Sequence, residues 1–274
     1  MLRPYHIFAV LPLTAILWGC GPEEMLDESG GGSTIQEVPA TGTGTGADET
    51  EPMLATLTQD LSVIGAYAWA APEPATPMGS TSNRVCVLNR IQGAFDSRSD
   101  YIHAFAAGGS WYLGGDTSYG PLGGSSRCAE LPSGASFTGE YSWTSAQNYP
   151  THLGSATGRV CFLTRVAGSF EGGADWVHVY VSGGAWYLWG SSPNASARAR
   201  CVTVSSYSGE YSWNQSMTYS THMGSTSGRV CALTYMRGNF DGWSEQIRIF
   251  ASSGSWYLGG ASQQFGVAAR ARCF

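Results

Sequence analysis

The sequence predicts an all-β protein: three tandem, disulfide-stapled antiparallel β repeats, with a pseudo-threefold, prism- or trefoil-like arrangement, behind a disordered N-terminal tether. Three observations predict it. A set of landmarks recurs three times, the cysteines fall two to a copy, and apolar residues alternate with period two while no segment follows a 3.6-residue period. Composition agrees. Only 12% of the 274 residues are charged, 37 are glycine, and all 14 basic residues are arginine. That excludes a coiled coil, a collagen and a lysine-rich nucleic-acid binder.

The chain opens MLRPYHIFAVLPLTAILWGC. Arg3 supplies a positive start, and residues 7–18 form a mostly apolar stretch of 12 residues, shorter than the roughly 20 that span a bilayer. The stretch ends in Leu17-Trp18-Gly19-Cys20. Here the chain resembles the bacterial lipoproteins, whose lipobox places an aliphatic residue three positions before a cysteine and a small residue just before it. The resemblance implies residues 1–19 as a signal peptide, cleavage before Cys20 and lipidation of that residue. Two or three acyl chains, at about 0.8 kcal/mol per buried CH₂, give a stable membrane anchor. Gly21 follows in place of the aspartate that retains some lipoproteins in the inner membrane. The resemblance therefore implies a cell-envelope, outer-membrane location, on its periplasmic or surface face.

Residues 21–60 carry nine acids and no arginine or aromatic residue. One charge sign with low hydropathy predicts a disordered linker, here residues 20–60 with the lipidated cysteine at its head. About 40 such residues span roughly 35 Å as a flexible coil. The remainder, 61–274, holds 13 arginines against 11 acids. A balance of +2 gives no electrostatic reason to expect nucleic acid as a partner.

The repeats are expected at 61–135, 136–205 and 206–274. Tyr67-Ala68-Trp69, Tyr141-Ser142-Trp143 and Tyr211-Ser212-Trp213 open them. Arg84-Val85-Cys86, Arg159-Val160-Cys161 and Arg229-Val230-Cys231 follow, then Phe95, Phe170 and Phe240, each before an acid. Trp111-Tyr112-Leu113, Trp186-Tyr187-Leu188 and Trp256-Tyr257-Leu258 come next, and an Arg-Cys pair closes each copy. Repetition at this period means one supersecondary unit used three times; the three units either close around one pseudo-threefold axis or sit as adjacent small sandwiches, and the short connectors favour closure. In an oxidising compartment, six cysteines beside Cys20 allow 15 pairings. Repeat symmetry favours Cys86–Cys128, Cys161–Cys201 and Cys231–Cys273, or a cyclic shift of these. Each copy reads as four or five strands; in the middle copy these are 159–166, 176–181, 185–188 and 197–204. The Gly183-Gly184 pair suits a hairpin turn.

In the strand at 176–181, Val177, Val179 and Val181 form one face, matched by Ile102, Ala104, Ala106 and by Ile247, Ile249, Ala251. That face is the expected core. The opposite face carries Trp176, His178 and Tyr180, matched by Tyr101, His103, Phe105 and by Gln246, Arg248, Phe250. Rings beside hydrogen-bonding groups suit sugars, whose C–H faces stack while their hydroxyls seek polar partners. The candidate ligand-binding residues are therefore Tyr101, His103, Trp176, His178, Tyr180 and Arg248, with Asp100, Asp175 and Glu245 as upstream acceptors. The competing reading packs the rings between sheets, and Trp111, Trp186 and Trp256 are assigned to the core. The acid pairs also admit a weak calcium reading. Arg198, Arg200, Arg270 and Arg272 suit anionic glycans or pair with acids, and His152 and His222 read as loop residues. No metal, cofactor or catalytic motif stands out, and three equivalent copies suit repeated binding better than one asymmetric active centre. The expectation is a lipid-anchored, non-enzymatic three-repeat binding module of the cell envelope, glycan-binding or adhesive. The alternatives are a structural or protein-interaction envelope lipoprotein with no small-ligand site and, behind both, a hydrolase.

Overall fold

A computed structural model describes residues 61–274. Cys20, the signal segment and the acidic linker lie outside the described residues.

The described chain is all β, with no helix. The first copy contributes β1 (Ser62–Ala70), β2 (Thr76–Ser80), β3 (Arg84–Gly93), β4 (Tyr101–Ala107), β5 (Ser110–Asp116) and β6 (Leu122–Glu130). The second gives β7 (Tyr141–Thr144), β8 (Thr151–Ser155), β9 (Arg159–Ala167), β10 (Trp176–Ser182), β11 (Ala185–Ser191) and β12 (Ser196–Thr203). The third gives β13 (Tyr211–Asn214), β14 (Thr221–Ser225), β15 (Cys231–Arg237), β16 (Gln246–Ser252), β17 (Ser255–Ala261) and β18 (Ala268–Cys273). Each copy thus has six strands, where the sequence suggested four or five. The undrawn strands of the middle copy, β7 and β8, are only 4 and 5 residues long and bury one residue each, so alternation barely registers in them.

Three six-stranded antiparallel sheets result. Sheet I runs β1-β6-β3-β16-β17-β14, sheet II β2-β5-β4-β9-β12-β7, and sheet III β13-β18-β15-β10-β11-β8. Every sheet joins three strands of one copy to three of the copy before it, with the third copy preceding the first. The seams are short and equivalent. Ile102 faces Val166 across β4–β9, Val177 faces Met236 across β10–β15, and Ile247 faces Ile91 across β16–β3. All six of these side chains are fully buried.

The copies also meet at a hub. Phe95, Phe170 and Phe240 are completely buried, and Phe95 packs edge-on to both others at centroid distances of 5.7 and 6.2 Å. Their backbones close a ring: Phe95 N–H donates to Phe240 O (2.7 Å), Phe170 N–H to Phe95 O (2.8 Å) and Phe240 N–H to Phe170 O (2.8 Å). A second ring lies beside it, in which Gly168 N–H donates to Asp100 O, Gly238 to Asp175 and Gly93 to Glu245. Gly168 has φ +109°, and a Cβ there would stand 2.2 Å from Asn194 O, so glycine is required.

The disulfides form within copies, Cys86–Cys128, Cys161–Cys201 and Cys231–Cys273, each across directly paired strands. Trp111, Trp186 and Trp256 lie in the core, as assigned, and each indole N–H donates to the carbonyl of Arg84, Arg159 or Arg229 at 3.0–3.2 Å. The hairpin β10–β11 turns on Gly183 (φ 55°) and Gly184 (φ 76°), the two positive-φ residues that a type I′ turn needs.

Candidate functional site

Strand alternation fixes what each sheet turns outward. On β10, Val177 and Val179 are buried, so Trp176, His178 and Tyr180 stand on the outer face, all half-buried. The hairpin register then places Tyr187 opposite Tyr180 and Trp189 opposite His178. Tyr180 and Tyr187 stack at 5.7 Å, and His178 lies nearly parallel to Tyr180 at 5.3 Å. The other two sheets repeat the arrangement. Phe105 stacks on Tyr112 (5.5 Å) beside His103, and Phe250 stacks on Tyr257 (5.6 Å) beneath the Arg248 guanidinium (4.7 Å). All six stacked rings keep part of their surface in solvent. Phe105 and Tyr112 wall an open cleft of about 410 Å³ with Ala75, Ala107 and Gly108.

Sheet III is the richest face. Trp189 is 37% exposed and meets Trp176 edge-on at 5.8 Å. Tyr235 sits across the seam from His178, at 4.9 Å. Tyr235 and Arg270 continue into a cleft of about 470 Å³ lined also by Asn214, Gln215 and Ser216. His152 and His222, read above as loop residues, lie on β8 and β14, exposed, and meet Tyr187 and Tyr257 edge-on at 5.4 and 5.3 Å.

Two carboxylates organise the polar half of these faces. Glu140 accepts hydrogen bonds from His103 Nε2 (2.9 Å), Thr164 Oγ1 (2.7 Å) and Arg198 Nη1 (3.0 Å), with Arg200 Nε at 3.8 Å. Glu210 repeats this with His178 (3.2 Å), Thr234 (2.8 Å), Arg270 (3.1 Å) and Arg272 (3.9 Å). A β-bulge supplies the threonine: Thr164 is the extra residue of β9 between Leu163 and Arg165, and Thr234 is its counterpart in β15. An ionised carboxylate only accepts, so both imidazoles donate through Nε2.

Burial opposes ionisation of these two carboxyls. The hydrogen bond and charge of the facing histidine, with the threonine and arginine, outweigh it and hold each at about 2, against an ordinary 4.5. Burial moves His103 the other way, downward, only partly countered by Glu140. A carboxyl whose folded pKa is depressed adds stability that is whole above its unfolded value and is lost as pH falls through the folded one. The unfolding free energy read from urea titrations is therefore expected to fall as pH drops from about 4.5 toward 2, by on the order of 1–2 kcal/mol per carboxylate by pH 3, allowing for the partial exposure of the arginines. The double substitution Glu140→Gln, Glu210→Gln is expected to lower the midpoint at pH 6 and flatten this slope; an unchanged slope would dismiss the two carboxylates as its source.

The acids proposed as ligand acceptors serve elsewhere. Asp100 is fully buried, with Oδ2 accepting from the backbone N–H of Asp96 and Ser97 and Oδ1 from Ser118. Glu245 is 1% exposed, bonded to Ser244 Oγ and Gln263 N–H. Asp175 accepts from Gly172 N–H. They brace loops because buried backbone donors demand acceptors, and with that Asp100 and Glu245 leave the candidate surface. Tyr101 is half-buried beneath the Arg165 guanidinium at 4.4 Å. Arg248 is exposed on β16. Asp96, Glu171 and Asp241 follow the hub phenylalanines; burial, then the charges of Asp100, Asp241 and Glu171, raise the Asp96 carboxyl.

The sequence reading did not single out Glu140, Glu210, Thr164, Thr234, Trp189 or Tyr235. The signal available was the Gly-Glu before Tyr141 and before Tyr211, against Gly-Ala before Tyr67. In sheet I the Glu position is accordingly Ala66, the His position Arg248 and the Thr position Asn89. Compared with known proteins, the chain matches no family model and no curated protein.

Proposed function

We propose that this protein is a lipid-anchored module of the cell envelope whose three outer faces bind saccharides, without catalysis. One observation carries the reading: a stacked pair of part-exposed rings, flanked by an imidazole or guanidinium, recurs on the outer face of every sheet. Part-exposed aromatic surface beside polar groups suits the C–H faces and hydroxyls of a sugar ring, and three such faces in one folded unit supply avidity toward a repetitive polymer. The lipobox and the acidic spacer, which would hold the module off a membrane, support the envelope setting. Binding from equivalent faces also accounts for triplication better than a single asymmetric centre does.

Trp189 gives a clean test, because Gly114 and Gly259 occupy its position in the other copies. Trp189→Gly with Tyr180→Ala, made in the full-length protein, is expected to weaken binding on a glycan array roughly tenfold through lost stacking at the sheet III face. No binding by the wild-type protein across neutral and acidic glycans would refute the reading. Crosslinks to an envelope protein in intact cells, in that event, would make the same faces a protein-docking surface.

A further inference from the structure

Sheet I departs from the other two sheets in one consistent direction. Sheets II and III each hold an internal carboxylate, Glu140 or Glu210, gripped by a histidine on the fourth strand of one copy and by arginines on the sixth strand of the next. In sheet I the carboxylate position is the exposed Ala66, opposite Arg127 on β6, and the position of Arg198 and Arg270 is Ser125. The histidine position carries Arg248, which faces Arg90 directly across the β16–β3 seam. Like charges directly opposite each other destabilise a strand pair. Burial, and then the charge of Arg248, lower the Arg90 guanidinium from its ordinary value. Among the described residues no carboxylate lies within 4.0 Å of Arg90, Arg127 or Arg248, while Arg200 and Arg272 have theirs at 3.8 and 3.9 Å. Small side chains at 66 and 125 leave the approach to these arginines unobstructed by the groups that fill it in the other sheets. Beside them stands the Phe250–Tyr257 stack, with His222 edge-on to Tyr257.

We infer that the outer face of sheet I binds the carboxylate of an acidic sugar, a uronate, which takes the role played by Glu140 and Glu210 in the other two sheets. Arg248 and Arg90 hold the carboxylate in the forked geometry that guanidinium groups favour, and the sugar ring lies toward Phe250 and Tyr257. A bound carboxylate also relieves the Arg248–Arg90 repulsion, so a pairing that is unfavourable in the free protein becomes favourable in the complex. The sugar half of this inference rests on the saccharide reading above; the carboxylate half rests on the arginines alone.

The experiment uses immobilised polygalacturonate and its fully methyl-esterified form, with full-length protein in detergent at low salt. The acid polymer is expected to bind at least tenfold more tightly than the ester, with the difference shrinking as salt rises. Arg248→Gln, at an exposed position, is expected to abolish the difference. Ala66→Glu, which restores the carboxylate of the other two sheets, is expected to do so as well while keeping the protein folded. Arg98→Gln, which removes an exposed arginine of the loop between β3 and β4, is expected to leave it intact. Equal binding of acid and ester would overturn the carboxylate inference and leave the saccharide reading standing. Binding of neither would overturn both for this polymer class. A preference for the acid that survives both Arg248→Gln and Ala66→Glu would overturn its assignment to sheet I.

Discussion

Replacing Phe170 with alanine is expected to lower stability by about 3–5 kcal/mol, the range for removing a buried phenylalanine. Domains of this size have roughly 5–15 kcal/mol in total, so about a fifth of the margin or more is at stake. In thermal terms the midpoint falls by roughly 6–20 °C. Phe170 is wholly buried, meets Phe95 at 5.7 Å, and belongs to a backbone ring that passes through all three copies. A cavity there cannot be healed by one copy alone, since the facing ring and backbone belong to its neighbours. The loss should appear as one cooperative transition at lower temperature. Scanning calorimetry resolving three independent transitions, or a midpoint moved by less than 2 °C, would contradict the shared hub.

The second large effect is expected from the disulfides. Cys161–Cys201 closes a loop with a sequence separation of 40. In the chain-entropy treatment a loop of about 40 residues is worth about 4 kcal/mol. Cys161→Ala with Cys201→Ala is therefore expected to lower the thermal midpoint by roughly 8–16 °C. Removing all three bridges would exceed most of the available stability, so reductant with mild urea should unfold the chain outright. All six sulfurs are buried. Alkylation read by mass spectrometry should consequently find no free thiol among them before reduction and denaturation. A midpoint indifferent to reductant would contradict the assignment of these bridges as the main staples.

The sequence made some of this legible for physical reasons. Cysteine spacing under triplication narrowed the pairings to the intra-copy set or its cyclic shift, because only these use each copy alike; the strand pairing inside each copy selects the first. Alternation separated Val177 and Val179 from His178 and Tyr180 because the pleat sends successive side chains to opposite faces. Glycine pairs marked hairpins because few other residues accept φ above zero. The exchange of half-sheets between copies was not legible: alternation tells which face is buried but not which strand lies alongside. Asp100 and Glu245 looked like surface acceptors because a carboxylate in a loop reads the same whether it meets solvent or a buried backbone N–H. Glu140 escaped notice because its importance arises only where His103, Thr164 and Arg198 converge from three strands.

The half-sheet exchange fixes copy number. Each copy lends three strands backward and three forward, and the ring closes only when the last copy meets the first across β16–β3. A gene lineage that lost one copy would expose two raw sheet borders, and one that gained a copy would have to reopen the phenylalanine hub. Within that closed ring the three faces still differ in side chains, as Ala66 and Arg248 do from Glu140, Glu210, His103 and His178 at the matching positions.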